Sequence, residues 1–233
     1  MEVTDPKPAP PTRILIVEDH PVVREGLTAM IQRQPDLVCC GEADGVGSAL
    51  TAAATHKPDL ILVDLRLRTG DGLELIKSLK AQLPAVRILV VSQFEETVYA
   101  ERAMRAGAQG YVMKEQAAQE VLVAIRTILA GEIYASPRIS ALALKRMIQS
   151  KPAASGSGVE NLTDRELEVF QLLGVGRSTR QIAQQLGLSI KTVETYRQSI
   201  KHKFGLQDAG ELVRYAANWV GNQTFPGPRP PAS

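Results

Sequence analysis

A doubly wound, five-stranded parallel α/β sheet followed by an all-α, four-helix helix-turn-helix domain is the architecture that these 233 residues predict. Between Arg13 and about Gly131, short apolar runs alternate five times with helical periodicity, the pattern of β-then-α units in a parallel sheet. Three runs are unbroken Val/Ile/Leu, at Ile14–Val17, Leu60–Val63 and Ile88–Val91, which fits strands covered on both faces. From Asn161 onward the pattern is helical only.

The elements follow in order. Residues 1–11 carry Pro6, Pro8, Pro10 and Pro11 and read as a disordered tail, without the apolar core of a secretory signal. The expected strands are Arg13–Val17, Leu37–Cys40, Leu60–Val63, Arg87–Val91 and Gly110–Val112. The helices between them lie near Pro21–Gln32, Val46–His56, Gly72–Gln82, Glu96–Ala106 and Ala117–Ala130, all within a domain at residues 12–133. Residues 134–160 connect the two domains; Ile139–Gln149 suits a helix, and the Gly/Ser-rich stretch Lys151–Gly158 a flexible linker. In the second domain, residues 161–221, Thr163 is the N-cap and Glu166 completes a capping box. Leu167, Phe170, Leu172 and Leu173 supply an apolar face that Gly174 and Gly176 end. Ser178 caps Thr179–Leu186, stopped by Gly187, and Ser189 caps Ile190–Phe204, ended by Gly205. Asp208 caps a last helix to about Val220, and proline-rich residues 222–233 read as a second tail.

Composition narrows the function classes. Hydrophobic residues make up 44% and aromatic residues only 4%, so aliphatic side chains do most of the packing. Residues 1–150 hold 17 basic and 18 acidic side chains, whereas residues 151–233 hold 10 and 7, which makes the second domain the better partner for a polyanion. Cys39 and Cys40 are adjacent, without the spacing of a metal knuckle or a redox pair, and read as small apolar strand residues in a reducing compartment. No apolar run approaches the roughly 20 residues that span a bilayer. The expectation is a cytoplasmic protein with no membrane partner.

In open parallel sheets the ligand site lies beyond the C-terminal strand ends. There the first run delivers Glu18 and Asp19, the third Asp64, the fourth Ser92 and the fifth Lys114. Mg²⁺ takes oxygen ligands, usually one or two carboxylates plus waters. Asp19 and Asp64 suit that role, with Glu18 on a metal-bound water. A carboxylate is also a nucleophile toward phosphorus, and Asp64, on the middle of the three acid- or hydroxyl-ended runs, is the preferred one. The metal and Lys114 would offset charge on the phosphoryl oxygens. A phosphoryl group would draw the Ser92 hydroxyl, and Tyr111 either turns inward into the vacated space or is simply packed there permanently.

These residues carry a resemblance. Ile16-Val17-Glu18-Asp19-His20-Pro21 through Leu27, Asp59-Leu60-Ile61-Leu62-Val63-Asp64 and Asp71-Gly72-Leu73 resemble the receiver domain of two-component response regulators, a flavodoxin-like fold. The resemblance implies that Asp64 accepts a phosphoryl group from a sensor histidine kinase. It implies Mg²⁺ on Asp19, Asp64 and the backbone carbonyl of Arg66, with Glu18 in support. It also implies that Ser92 and Tyr111 couple phosphorylation to conformation and that Lys114 contacts the phosphate. Arg68 and Glu115 depart from the family by standing where many receivers have proline; a cis bond after Lys114 would cost more without it. An Asp-nucleophile phosphohydrolase would want a second Asp where Arg66 stands. An interaction module that is never phosphorylated would not need the intact acid set.

The second domain has the short glycine turn Gly187-Leu188-Ser189 between two helices, the helix-turn-helix pattern. Its second helix would enter the major groove. Val193, Tyr196, Ile200 and Phe204 form its packed face, which turns Glu194, Thr195 and Gln198 outward to read bases, with Thr192 beside them. Lys191, Arg197, Lys201 and Lys203 suit phosphates. His202 is a groove-edge polar residue rather than a metal ligand. Leu162–Val169, Gln181–Leu186 and Ser189–Arg197 resemble a LuxR-type tetrahelical DNA-binding domain, and with the receiver the whole chain is similar to the NarL/FixJ family. The resemblance implies regulated binding to double-stranded promoter DNA and transcription control. It implies a homodimer when phosphorylated, with the helix Asp208–Val220 between DNA-binding units. Unphosphorylated, the receiver either covers the DNA-reading helix or leaves the protein monomeric.

Overall fold

The computed structural model describes residues 10–67, 70–115, 118–148 and 158–224. The expected tails over residues 1–9 and 225–233, together with Arg68, Gln149 and linker residues 150–157, lie outside the described residues. The chain divides into two compact units, Met1–Met147 and Ile148–Ser233.

The first unit is one parallel sheet of β1 (Thr12–Val17), β2 (Leu37–Ala43), β3 (Leu60–Val63), β4 (Arg87–Ser92) and β5 (Gly110–Met113), in the order β2-β1-β3-β4-β5. Its helices are α1 (Pro21–Gln32), α2 (Val46–His56), α3 (Gly72–Gln82), α4 (Glu96–Ala106) and α5 (Ala118–Leu129). The middle strands are buried on both faces, as unbroken Val/Ile/Leu requires. Ile14, Ile16, Leu60, Leu62, Leu89 and Val91 face Ile31 of α1 and Ala124, Ile125 and Ile128 of α5. Helices α2, α3 and α4 pack in succession against one another. At the β1–β3 junction the register pairs Val17 with Val63, so the residues after both strands leave the sheet side by side.

Strand β2 runs past the expected end at Cys40 to Ala43. Ile14 pairs with Cys39 and Leu15 with Gly41, so Cys40 is the extra residue of a bulge, after which pairing resumes. Both cysteines are free and half-buried. After α5, the chain returns to the sheet border. Tyr134 N–H donates to the Gln109 carbonyl at 2.9 Å, and the residue bridges Gly110 in parallel. Ser136 then caps α6 (Pro137–Ile148), which starts two residues earlier than expected, through an Ile139 N–H bond of 3.2 Å. Arg138 on α6 pairs with Glu95 ahead of α4 at 2.7 Å.

The second unit holds α7 (Asp164–Gly174), α8 (Thr179–Leu186), α9 (Ile190–Phe204) and α10 (Ala209–Thr224), after a single 3-10 turn at Val159–Asn161. Thr163, Ser178 and Ser189 each accept an amide bond from three residues on, as expected of N-caps, and Asp208 accepts the Glu211 amide at 2.8 Å. Gly174 is the last residue of α7 rather than its stop. A Cβ there would lie 2.5 Å from the Ala216 carbonyl of α10, so the glycine permits backbone-to-backbone packing of the two helices. The stop falls to Gly176, at φ 79°. Phe170 centres the core, with the rings of Phe204, Trp219 and Tyr215 at 5.3, 5.5 and 5.9 Å. No helix among the described residues is long and apolar enough to cross a membrane.

Candidate functional site

Backbone bonds continue the sheet ladder by one residue and thereby place each site side chain. Glu18 N–H donates to Ala43, Asp64 N–H to Val17 and Lys114 N–H to Ser92, at 2.9, 2.9 and 2.8 Å. Asp64 is 2% exposed, Glu18 1% and Asp19 7%. One carboxylate oxygen from each of these three residues and one ring nitrogen of His20 all lie within 4.8 Å of one another. The Lys114 ammonium donates to Asp64 Oδ2 at 2.7 Å and pairs with Glu18 Oε2 at 2.5 Å. Asp64 Oδ1 accepts the Arg66 N–H at 3.1 Å. Both Asp64 oxygens are therefore held by donors, and three buried carboxylates gather at this end of the sheet beside the Lys114 ammonium.

Electrostatics follow from that packing. Burial pushes the Asp64 carboxyl above its ordinary value, and the Lys114 ammonium only partly offsets it. Burial pulls the Lys114 ammonium down, but Asp64 and Glu18 outweigh this and hold it above its ordinary value. The loop after Asp64 is set by Gly72. A Cβ there would lie 2.4 Å from Leu65 Cα and 2.7 Å from the Asp64 carbonyl, so α3 starts hard against the backbone of the buried aspartate. Asp71 caps α3 through the Leu73 N–H at 2.8 Å.

Ser92 is fully buried at the end of β4. Tyr111 is 1% exposed and its hydroxyl donates to the Phe94 carbonyl at 2.7 Å. Burial raises the Tyr111 phenol well above its ordinary value, and a hydrogen bond with Ser92 opposes the rise. The two expected switch residues lie on the paired strands β4 and β5, with Tyr111 inside the fold. All peptide bonds described are trans, including the one after Lys114. His20 was not among the expected site residues. Its Nδ1 lies 2.9 Å from Glu18 and 2.8 Å from Asp19, a position that its neighbours in sequence signal only once they are known to share a site.

On α9, Val193 and Ile200 are fully buried and Tyr196 and Phe204 half-buried, which is the packed face read from spacing. Lys191, Glu194, Thr195 and Gln198 are exposed; Thr192, Arg197, Lys201 and Lys203 are half-buried. Two of the basic residues have protein partners. Lys203 Nζ donates to Glu166 Oε2 at 2.6 Å and to the Asn161 carbonyl at 3.1 Å. Arg197 donates to Thr179 and Glu194. Glu166, 4% exposed, also accepts the Ser199 hydroxyl at 2.6 Å and the Thr163 N–H at 2.7 Å. Burial pushes the Glu166 carboxyl up, yet Lys203, Ser199 and Thr163 together hold it below the ordinary glutamate value. Thr179 and Glu166 are partners of α9 that residue type alone does not announce, because both bonds join separate helices.

Comparison with known proteins finds relatives for both units. Residues 14–126 match the response regulator receiver domain, and residues 160–216 match the luxR family of bacterial regulatory proteins. The chain is 33% identical over 209 residues to the oxygen regulatory protein NreC of Staphylococcus aureus, covering 88% of this chain and 96% of that one. It is similar to a LuxR-family two-component response regulator from an Aurantimonas species, at 36% identity and a TM-score of 0.56, over 59% of this chain and all but 1% of that one, whose covered share is 99%. RcsB from Salmonella enterica, solved bound to the rprA promoter with a phosphomimetic, shares the fold at 23% identity and a TM-score of 0.64, over 89% of this chain and 98% of that one.

Proposed function

The chain belongs to the two-component response regulators that join a receiver domain to a LuxR-type DNA-binding domain, and from that premise we propose that Asp64 is its phosphoacceptor and α9 its DNA-reading helix. The observation that carries the reading is the cluster of Glu18, Asp19 and Asp64 oxygens beside the Lys114 ammonium. One Asp64 oxygen attacks the phosphorus of a kinase phosphohistidine, the P–N bond breaks and the imidazole leaves. The oxygen donor set suits Mg²⁺, held by Asp19, Asp64 and the Arg66 carbonyl with Glu18 in support, and that ion would supply positive charge to the phosphoryl oxygens. Lys114 leaves Asp64 Oδ2 to contact the phosphoryl group, and the Ser92 hydroxyl turns to donate to it. Ser92 and the already buried Tyr111 both bond the Phe94 backbone, so the turn of Ser92 passes the change to that loop.

The receiver function is assigned to residues 12–133 and DNA binding to residues 161–221, with residues 134–160 as the connection. Lys191 and Lys201 contact phosphates, while Glu194, Thr195 and Gln198 read base edges and Thr192 adjoins them. Lys203 instead holds α9 against α7. The protein acts in the cytoplasm, and phosphorylation favours a homodimer on promoter DNA. Labelling with radioactive acetyl phosphate and Mg²⁺ tests the assignment. Wild type takes label and Asp64→Asn does not; wild-type labelling in that variant removes Asp64 from the role.

A further inference from the structure

Arg197 does not stand free on the DNA-reading helix. Its side chain is 17% exposed, against 48% for Glu194. Its Nη1 donates to Thr179 Oγ1 and, at 3.2 Å, to Glu194 Oε1. Thr179 Oγ1 in turn donates to the same Glu194 oxygen at 2.8 Å. Thr179 is the first residue of α8, so the Glu194 side chain is fixed from both helices of the helix-turn-helix. Both bonds fall on Oε1, and among the described residues Oε2 has no protein partner.

We infer that Arg197 and Thr179 clamp Glu194 so that its free oxygen accepts a hydrogen bond from a cytosine amino group, making Arg197 a positioning residue for base readout rather than a phosphate contact. The inference rests on the reading of α9 as the groove helix. Three physical reasons support it. A carboxylate entering a groove lined by phosphates is repelled, and an adjacent guanidinium removes that repulsion. A glutamate already held in one rotamer loses less freedom on binding. In the major groove cytosine presents an amino donor, whereas adenine sets an N7 acceptor beside its donor, which a carboxylate disfavours.

The test uses the full chain, phosphorylated with acetyl phosphate. Preferred duplexes are selected with wild type, and each base pair is then exchanged in turn while Kd is measured across a salt series. Glu194→Gln should lose on the order of tenfold discrimination at one C·G pair. Arg197→Ala and the near-isosteric Thr179→Val should lose discrimination at that same pair, and Thr179→Ser should restore it. The salt slope of Arg197→Ala should stay at the wild-type value, whereas a lost phosphate contact would lower it by about one. If Glu194→Gln shifts one pair but Thr179→Val and Arg197→Ala shift none, the clamp is refuted and the groove reading stands. If Glu194→Gln shifts no pair, Glu194 does not read bases and the clamp falls with it. Thr179→Val keeps the α8 start intact, so the outcome does not depend on Arg197→Ala folding.

Discussion

Replacing Glu166 with alanine should destabilise the second unit far more than an ordinary helix-surface change. The variant removes the reciprocal cap at Thr163, worth about 1 kcal/mol, and the bonds from Lys203 and Ser199 at 2.6 Å each. Charge-assisted bonds contribute roughly 1.5–3 kcal/mol apiece. The Lys203 side chain is 30% exposed and partly recovers its hydration, which brings the expected loss to about 2–4 kcal/mol. For a unit of roughly 60–100 residues, each kcal/mol lowers Tm by about 4–8 °C. The assay is urea unfolding of the full chain followed by tryptophan emission, because the single tryptophan, Trp219, packs 5.5 Å from Phe170 in this unit and reports on it alone. Lys203→Ala should reproduce part of the same loss, with a coupling above about 1 kcal/mol in the double-mutant cycle. The sign with pH follows from the lowered Glu166 carboxyl. Its contribution is complete above the ordinary glutamate value of 4.5 and disappears as pH falls through the lower folded value, so wild type and variant should converge on acidification. Equal urea midpoints at neutral pH would refute the network, as would a gap that persists unchanged to about pH 3.

Other expectations concern the receiver and the groove. Gly72→Ala puts a Cβ 2.4 Å from Leu65 Cα and should cost about 1–3 kcal/mol in receiver stability, with slower acetyl-phosphate labelling because the Asp64 backbone must move. Normal stability and labelling together would show that the loop relaxes freely. Tyr111→Phe deletes the bond to the Phe94 carbonyl and should lower stability by about 1 kcal/mol while labelling persists; lost labelling would place the phenol in the chemistry itself. Lys201→Ala should weaken binding to all duplexes and lower the salt slope by about one, whereas Gln198→Ala should change sequence preference. Identical binding profiles for the two variants would contradict this division of roles.

The receiver was the more legible half. Strands buried on both faces demand unbroken aliphatic runs, and the polar residue ending each run is then confined to one sheet edge. Glu18, Asp19, Asp64, Ser92 and Lys114 were readable on that ground. The helix-turn-helix was readable from its caps, since Ser178, Ser189, Gly187 and Gly205 sit where the backbone needs them. Pairing was not readable. The continuation of β2 beyond Cys40 depends on a bulge that exists only against β1. Basic residues on α9 look alike along the chain, yet Lys203 meets Glu166 and Arg197 meets Thr179 across helix boundaries. Residue type supplied the charges, and tertiary contact decided which of them remain available to a ligand.

The return of the chain at Tyr134 has a further consequence. β5 is an outer strand of only four residues, and its beginning is already occupied, through the Gly110 bridge, by backbone of the same unit. Unguarded strand borders recruit foreign backbone and seed aggregates. Here little border remains for a foreign strand to extend, so crowding many copies together does not invite polymerisation along β5.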